Sequence, residues 1–248
     1  MRSIAADLHV HSALSPCADD SMIPQTIVYS AIAAELEMIA ICDHNSAGNV
    51  AAVQEAAGEI AGDLFCVIAG IEITTREEAH IVGLFPDAAH ALAASEEVAD
   101  YLPEFRDRGN PYGRQLLMNS AGDLLGEAAK LLSFASGLSL SETVALIRRH
   151  HGLAIAAHID RPTYSVISQL GFLPEDVRFD ALEISEAGVK QGRAEEFRHH
   201  GIPLVSSSDA HYPGNIGDGK VLFSIEMLSF DEIRSALRGD KDRECRLA

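Results

Sequence analysis

The sequence predicts an α/β fold, a largely parallel sheet whose strands alternate with helices. Two observations carry this. Seven short runs, at 4–8, 38–42, 64–73, 79–85, 153–157, 179–184 and 203–207, are rich in apolar residues, and several are nearly continuous. Strands covered on both faces read this way. Between several of them the apolar residues recur every three or four positions, the period of a helix packed on one side. A chain of 248 residues can bury one large core, and no linker, low-complexity tract or repeat divides it. The alternation suits a closed barrel or an open sheet.

Taken in order, the first run leads into Asp7-Leu8-His9-Val10-His11. Strand periodicity puts His9 and His11 on one face. A helix starts at Pro24, with Ile27, Ile32 and Leu36 on one side. The second run ends in Asp43-His44-Asn45, the third contains Gly70-Ile71-Glu72, and the fourth includes His80 near its start. Residues 101–139 are irregular, with Pro103, Pro111, Gly113 and Gly122. A small hairpin is expected about Asn119–Asp123, in an insertion between the fourth and fifth strands. Ser141-Glu142-Thr143 opens a helix that stops at Gly152, after Arg148, Arg149, His150 and His151. Phe197–Gly201 is a near copy of that end. The fifth run ends in Ala157-His158, the sixth carries Glu183, and the seventh leads into Ser208-Asp209-Ala210-His211. A last helix spans about Asp231 to Leu237, with Gly239 as its stop.

Charge narrows the partners. There are 37 Asp and Glu against 19 Lys and Arg, a net charge of −18. This argues against duplex nucleic acid gripped by phosphate neutralisation, and against anionic membranes. No basic residue lies between Arg2 and Arg76, so an anion bound there must be held by backbone N–H groups or by metal ions. No apolar stretch is long enough to span a membrane and no signal-peptide pattern opens the chain, so the cytoplasm is the expected location. Cys17, Cys42, Cys66 and Cys245 show no paired spacing and read as buried, reduced thiols.

Histidines and carboxylates recur where these strands end, which is where parallel α/β folds place their active sites. His9, His11, His44, Glu72, His80, His158, Asp209 and His211 form an N/O donor set without cysteine. It suits Zn, Mn or Fe better than an all-oxygen cage for Ca or Mg. It also holds more donors than one ion needs, and multi-metal sites suit hydrolysis of phosphoryl substrates.

As an ordered set, Asp7–Ser12, Ile41–Asn45, Gly70–Glu72, His80, Ala157-His158 and Ser208–His211 resemble the PHP (polymerase and histidinol phosphatase) family of metal-dependent phosphoesterases. The resemblance covers most of the chain. It implies a distorted (β/α)7 barrel, here read as one domain over 1–248, and the 101–139 insertion is expected to cap the active-site face. It implies two or three divalent ions. One is held by His9, His11, Glu72 and Asp209. A second is held by His80 and His158, with Glu72 bridging. A third is held by His44, His211 and Asp19, which lies five residues before Pro24; Asp20 competes for that role. The loop that follows the first motif is longer than the commoner form. Asp43 is expected to orient its neighbours rather than bind metal.

Arg161 and Arg114 are candidate phosphate clamps, with a surface ion pair as the other reading for Arg161. Asn45, Ser208 and Glu183 are candidate substrate or supporting contacts. His150, His151, His199 and His200 read as helix-end residues, and His90 shows no partner. The implied activity is hydrolysis of phosphate esters by a metal-bound hydroxide, with no protein nucleophile. The expected substrates are nucleotides, nucleoside bisphosphates, sugar or amino-alcohol phosphates, or a short oligonucleotide end, but not a duplex. The alternatives are an amidohydrolase-type metal hydrolase, disfavoured because no lysine precedes Lys130, and a non-catalytic metal-binding accessory module.

Overall fold

In the computed structural model the described residues are 1–104 and 113–248. The strands are β1 (Arg2–Val10), β2 (Met38–Ile41), β3 (Cys66–Thr74), β4 (His80–Phe85), β5 (Leu116–Met118), β6 (Leu124–Glu127), β7 (Leu153–Ala156), β8 (Ala181–Ser185), β9 (Leu204–Ser207), β10 (Val221–Ile225) and β11 (Glu244–Leu247). The helices are α1 (Pro24–Ala33), α2 (Val50–Ala61), α3 (Ala88–Ala99), α4 (Leu140–Arg149), α5 (Val166–Leu170), α6 (Glu186–Lys190), α7 (Ala194–Phe197) and α8 (Phe230–Arg238). Each of the seven apolar runs overlaps one strand. Strands β5 and β6 form the hairpin expected about residues 119–123.

Nine strands make one curled sheet, ordered β11-β10-β1-β2-β3-β4-β7-β8-β9. A parallel bridge from Val10 to Ala210, just past β9, brings the sheet almost to closure as a barrel. Strand β1 serves two neighbours along one edge. Its first half pairs with β10, and beyond its end His11 N–H donates to Ala210 O at 3.0 Å.

The strands have two apolar faces. Ile4, Ala6, Leu8, Met38, Ala40, Ile68, Val82, Leu84, Ile155, Val205 and Phe223 share the interior cluster, which Phe230, Ile233 and Leu237 of α8 join. Ile39, Ile41, Ala69, Ile71, Ile73, Ile81 and Ala156 share the outer cluster with the helices. The alanine-rich faces of α2 and α3 let those helices sit close to the sheet.

Three features depart from the sequence reading. Strand β4 runs antiparallel to both β3 and β7. The 75–79 link is too short for a crossover, which needs about a dozen residues, so the chain turns back as a hairpin. This puts His80 opposite Thr74, at the same end of the sheet as Glu72. Strands β10 and β11 were not anticipated. Val221, Phe223 and Ile225 alternate with less buried Leu222 and Ser224, the period-two pattern of a strand covered on one face. Helix α4 begins earlier than expected, because Ser139 rather than Ser141 forms the capping box with Glu142.

Candidate metal centre

Glu72 is buried at the end of β3, and five imidazoles surround its carboxylate. His80 Nδ1 lies 2.7 Å from Oε1, His158 Nε2 3.3 Å and His9 Nε2 3.4 Å. On Oε2, His44 Nδ1 lies at 3.0 Å and His11 Nε2 at 3.4 Å. Asp209 Oδ1 stands 3.0 Å from His11 Nε2 and 3.7 Å from His211 Nδ1. The donor atoms fall into three overlapping groups, each within 4.8 Å: His9, His11, Glu72 and Asp209; His44, Glu72 and His80; and His11, His44 and His211.

Strand β1 aims its histidines through an irregularity. Leu8 belongs to the interior cluster and Val10 to the outer one, and the register against β2 shifts between Asp7 and Val10. A bulge of this kind rotates the side chains beyond it, which places both His9 and His11 on the interior side. His158 and Asp209 have φ of +29° and +53°, left-handed backbone that non-glycine residues adopt at a cost of about 1–3 kcal/mol where the surroundings enforce it.

Buried hydrogen bonds assign the ring tautomers. Asp43 accepts from Ser12 N at 2.7 Å, Ser12 Oγ at 2.6 Å and Ser15 Oγ at 2.7 Å. Because the Ser15 hydroxyl donates to Asp43, its lone pairs accept His11 Nδ1–H at 2.9 Å and His44 N–H at 3.1 Å. The Nε2 lone pair of His11 therefore faces inward. Glu183 does the same for His9, lying 3.2 Å from Nδ1 through both oxygens, and it accepts His158 N–H at 3.0 Å. Asp7 accepts from Ser208 Oγ at 2.5 Å, Ser208 N at 3.0 Å and Gly217 N at 3.0 Å, tying β1 to the Asp209–His211 segment. Burial outweighs these bonds and pushes the Asp7 carboxyl up to about 6.

The cluster fits divalent ions. His44 Nδ1 and Glu72 Oε2, 3.0 Å apart, are buried without hydrogen-bond geometry between them. Buried polar atoms that converge without hydrogen bonding suit ligation of a cation. Burial opposes the charged form of Glu72, but His80, His9 and His44 outweigh it and hold the carboxyl well below its usual range. Burial, with His211 and His44, holds His11 well below the usual histidine value, in the neutral form that a ligand needs.

Several expectations change. Asp19 is exposed and turns its carboxylate to Ser21, accepting from its N at 2.9 Å and its Oγ at 2.5 Å. Asp20 pairs with Arg114 at 3.0 Å, and Arg114 also lies 3.6 Å from Glu127, so neither of these reaches the cluster. Asn45 is a structural residue. Its amide donates to Leu132 O at 2.8 Å and Phe134 O at 2.9 Å, and its oxygen accepts Thr74 N–H at 3.0 Å. Ser208 is occupied by Asp7. Arg161 does reach the site, where its guanidinium pairs with Asp209. Of the cysteines only Cys42 is buried, and Cys17 is exposed at the cleft mouth. Burial opposes ionisation of the Cys17 thiol, but hydrogen bonds from His211 and His44 prevail and bring it down to about 7. His90 has a partner after all, Asp87 at 2.8 Å.

Asp7, Cys17 and Tyr164 were not singled out. The Tyr164 ring stacks on His80, with centroids 4.8 Å apart. Position 7 precedes the first histidine pair by two residues, which was the available signal for Asp7. No local signal marked Tyr164. Beside the metal cluster lies a cleft of about 630 Å³, bordered by Cys17, Arg161, Asp209, His211 and Tyr212.

Comparison with known proteins agrees with this geometry. Residues 192–241 match the model of a PHP-associated family. The chain is 31% identical over 115 residues to the 5′-3′ exoribonuclease Rnm of Salmonella typhimurium, covering 45% of this chain and 36% of that protein. It is 37% identical over 87 residues to a 5′-3′ exoribonuclease of Haemophilus influenzae, covering 34% and 30%. The chain thus spans about a third of the length of these curated relatives.

Among solved structures, endonuclease Q of Pyrococcus furiosus superposes with a TM-score of 0.70 at 20% identity, over 98% of this chain and 58% of that one. A Bifidobacterium adolescentis protein assigned as a metal-dependent phosphoesterase gives 0.60 at 18% identity, over 95% and 96%. A second endonuclease Q structure, with a TM-score of 0.74 at 19% identity over 98% of this chain and 58% of that one, holds a 27-mer duplex with an abasic lesion at the active site. That complex overturns the exclusion of duplex nucleic acid. Net charge summed over a chain does not report the potential at its cleft, which nearby groups and bound ions set. The order of the motifs resembles the PHP family, residues 192–241 match its associated model, and the barrel is shared with a metal-dependent phosphoesterase and with endonuclease Q.

Proposed function

We propose that this chain is a metal-dependent phosphoester hydrolase acting on nucleotide-type phosphate esters, from nucleoside bisphosphates to the ends of nucleic acid chains. The observation that carries the reading is Glu72 ringed by five imidazoles, with inward-facing lone pairs and buried donor atoms that converge without hydrogen-bond geometry. Two or three Zn, Mn or Fe ions fit. His9, His11, Glu72 and Asp209 would hold one, His80 and His158 with Glu72 a second, and His44 and His211 a third. Bound ions would activate the attacking water and offset charge on the phosphoryl oxygens.

The chain's own residues do the positioning. Glu183 and Ser15 fix the rings of His9 and His11. Arg161 stands at the cleft, able to exchange part of its contact with Asp209 for a phosphate oxygen. From the insertion, Leu116 N–H donates to Ala13 O at 2.9 Å and Arg114 pairs with Asp20, so this part of it packs on the loop after His11. The names of the exoribonuclease relatives favour a nucleic acid end as substrate. Among the described residues no helix is long and apolar enough to cross a membrane, and we place the activity in the cytoplasm.

The test is a hydrolysis panel run with metal-loaded, chelated and reloaded protein. It includes an aryl phosphate, 3′,5′-bisphosphates, 5′-phosphorylated RNA and DNA, and a set of amides and lactones. Phosphate release or chain shortening should vanish on chelation and return on reloading. Hydrolysis by metal-free protein, or cleavage confined to amides and lactones, would overturn the reading.

A further inference from the structure

Three times around the rim an aspartate grips one serine of a neighbouring strand end at two points. Asp7 accepts from Ser208 N and Oγ, Asp43 from Ser12 N and Oγ, and Asp160 from Ser185 N at 2.8 Å and Oγ at 2.6 Å. Each serine Oγ in turn accepts a backbone N–H further along, from Ala210, Leu14 and Gly188 respectively. The first two clasps adjoin candidate metal donors, Asp209 in one case and His11 with His44 in the other. The third adjoins Arg161.

We propose that Asp160 is a positioning residue for phosphate binding: its clasp on Ser185 holds Arg161 at the cleft, while His158 is held separately. The proposal deepens the hydrolase reading above and rests on it.

The hydrogen bonds divide the turn after β7 into two parts. Glu183 holds the first, since its Oε1 accepts His158 N–H at 3.0 Å and its backbone oxygen accepts Ile159 N–H at 2.7 Å. Ser185 holds the second through the buried Asp160 carboxylate. Arg193 closes on the same residue, its guanidinium donating to Asp160 O at 2.6 Å. Arg161 comes next. Its N–H donates to His158 O at 2.9 Å, its carbonyl accepts from Ser165 Oγ at 2.8 Å, and Pro162 disfavours helical backbone there. From this fixed backbone the Arg161 side chain reaches Asp209. A guanidinium matches two phosphate oxygens only from a defined position, so its anchor bears on affinity.

Helix α6 leaves room for the clasp. A Cβ at Gly188 would fall 2.3 Å from Asp160 Oδ2, so a side chain at 188 would displace the carboxylate. Glycine is a poor helix former, and here the space beside it is filled by Asp160.

Steady-state kinetics of the metal-loaded chain test this. KM and kcat for the phosphate ester that wild type hydrolyses fastest, and Ki for inorganic phosphate, are measured for wild type, Asp160→Ala, Gly188→Ala, Arg161→Ala and the double variant of Asp160→Ala with Arg161→Ala. Asp160→Ala and Gly188→Ala should each raise KM and Ki by about tenfold, with kcat within about twofold of wild type and no ion lost. The double variant should bind no worse than Arg161→Ala alone, because Asp160 acts through that residue. Gly188→Ala keeps Asp160 in the chain and carries the test should Asp160→Ala fail to fold, which circular dichroism reports. Unchanged KM and Ki in both single variants, KM losses that multiply in the double variant, or loss of an ion with KM unchanged would overturn the role given to Asp160. Absence of ester hydrolysis by wild type would instead overturn the hydrolase reading itself.

Discussion

Asp43 lies outside the three donor groups, yet its removal should damage both the fold and the proposed metal site. It is fully buried and is the acceptor for Ser12 N, Ser12 Oγ and Ser15 Oγ. Hydrogen bonds to a charged group contribute about 1.5–3 kcal/mol each. The loss in Asp43→Ala is smaller than their sum. The cost of burying the carboxylate disappears, which offsets part of the loss, and Leu14 N and Asn49 Nδ2 go on donating to Ser12 Oγ at 3.2 and 3.0 Å. The uncompensated terms are the buried Ser12 N–H and the hydroxyl protons of Ser12 and Ser15, which come to at least about 3 kcal/mol at about 1–3 kcal/mol for each unsatisfied donor.

Urea unfolding of the metal-free protein measures this term without the linkage from bound ions. The metal site should weaken in parallel. Once Ser15 no longer donates to Asp43, nothing obliges it to accept His11 Nδ1–H, and the inward Nε2 lone pair is no longer enforced. Loss of such supporting groups costs about 10–100-fold in metal affinity, which a chelator competition assay can read. Asp43→Ala within about 0.5 kcal/mol of wild type, the scatter of ordinary surface substitutions, and with unchanged zinc affinity, would refute the Asp43–Ser15–His11 chain as the device that orients His11.

Arg161→Ala should raise KM for a phosphate ester by about 10–100-fold, the loss of one charge-assisted contact, while the metal content stays at the wild-type value. The pH dependence of Asp7 has a definite sign. Its folded value of about 6 lies above the ordinary 3.8, so its contribution to stability is fully present below 3.8 and is lost as pH rises through about 6. The stability of wild type minus that of Asp7→Asn, in metal-free protein, should therefore fall by about 3 kcal/mol over that window at 1.36 kcal/mol per unit. Any constant cost of the swap cancels from this slope, and a flat difference would contradict the assignment. Gly113→Ala, where φ is +117° and the added carbon would fall 1.8 Å from Pro16 O, should destabilise the chain by about 1–3 kcal/mol through strain. Gly58→Ala, on the exposed side of α2 with nothing within 4 Å of the added carbon, should instead stabilise it by about 0.5–1 kcal/mol. Denaturation midpoints of the two variants check both signs.

Much of the candidate site was legible because the proposed donors are local features of strand ends. His9, His11, His44, Glu72, His158, Asp209 and His211 each follow or close an apolar run, and the run itself says where the side chain is delivered. His80 looked anomalous at the start of a run, and the reversal of β4 removes the anomaly. The reading failed where the answer depended on partners distant in sequence. Asn45 sits beside a ligand, but its bonds go to Leu132, Phe134 and Thr74. Arg114 is basic and lies in the insertion, but Asp20 and Glu127 neutralise it. Whole-chain acidity suggested an aversion to duplexes, which a related fold with a duplex at its active site contradicts.

By itself the sequence determined the α/β class, the seven apolar runs that overlap the barrel strands, and the identity of the donors gathered at one rim. These follow from periodicity and from residue type at run ends, which act over a few residues. The tertiary structure alone decided the direction of β4, the addition of β10 and β11, the tautomers enforced by Asp43 and Glu183, and the turning of Asp19 toward Ser21. The first of these rests on contacts between segments far apart in the chain, β4 lying between β3 and β7, and the His9 tautomer on Glu183 beneath it. Such contacts exist only once the barrel has closed.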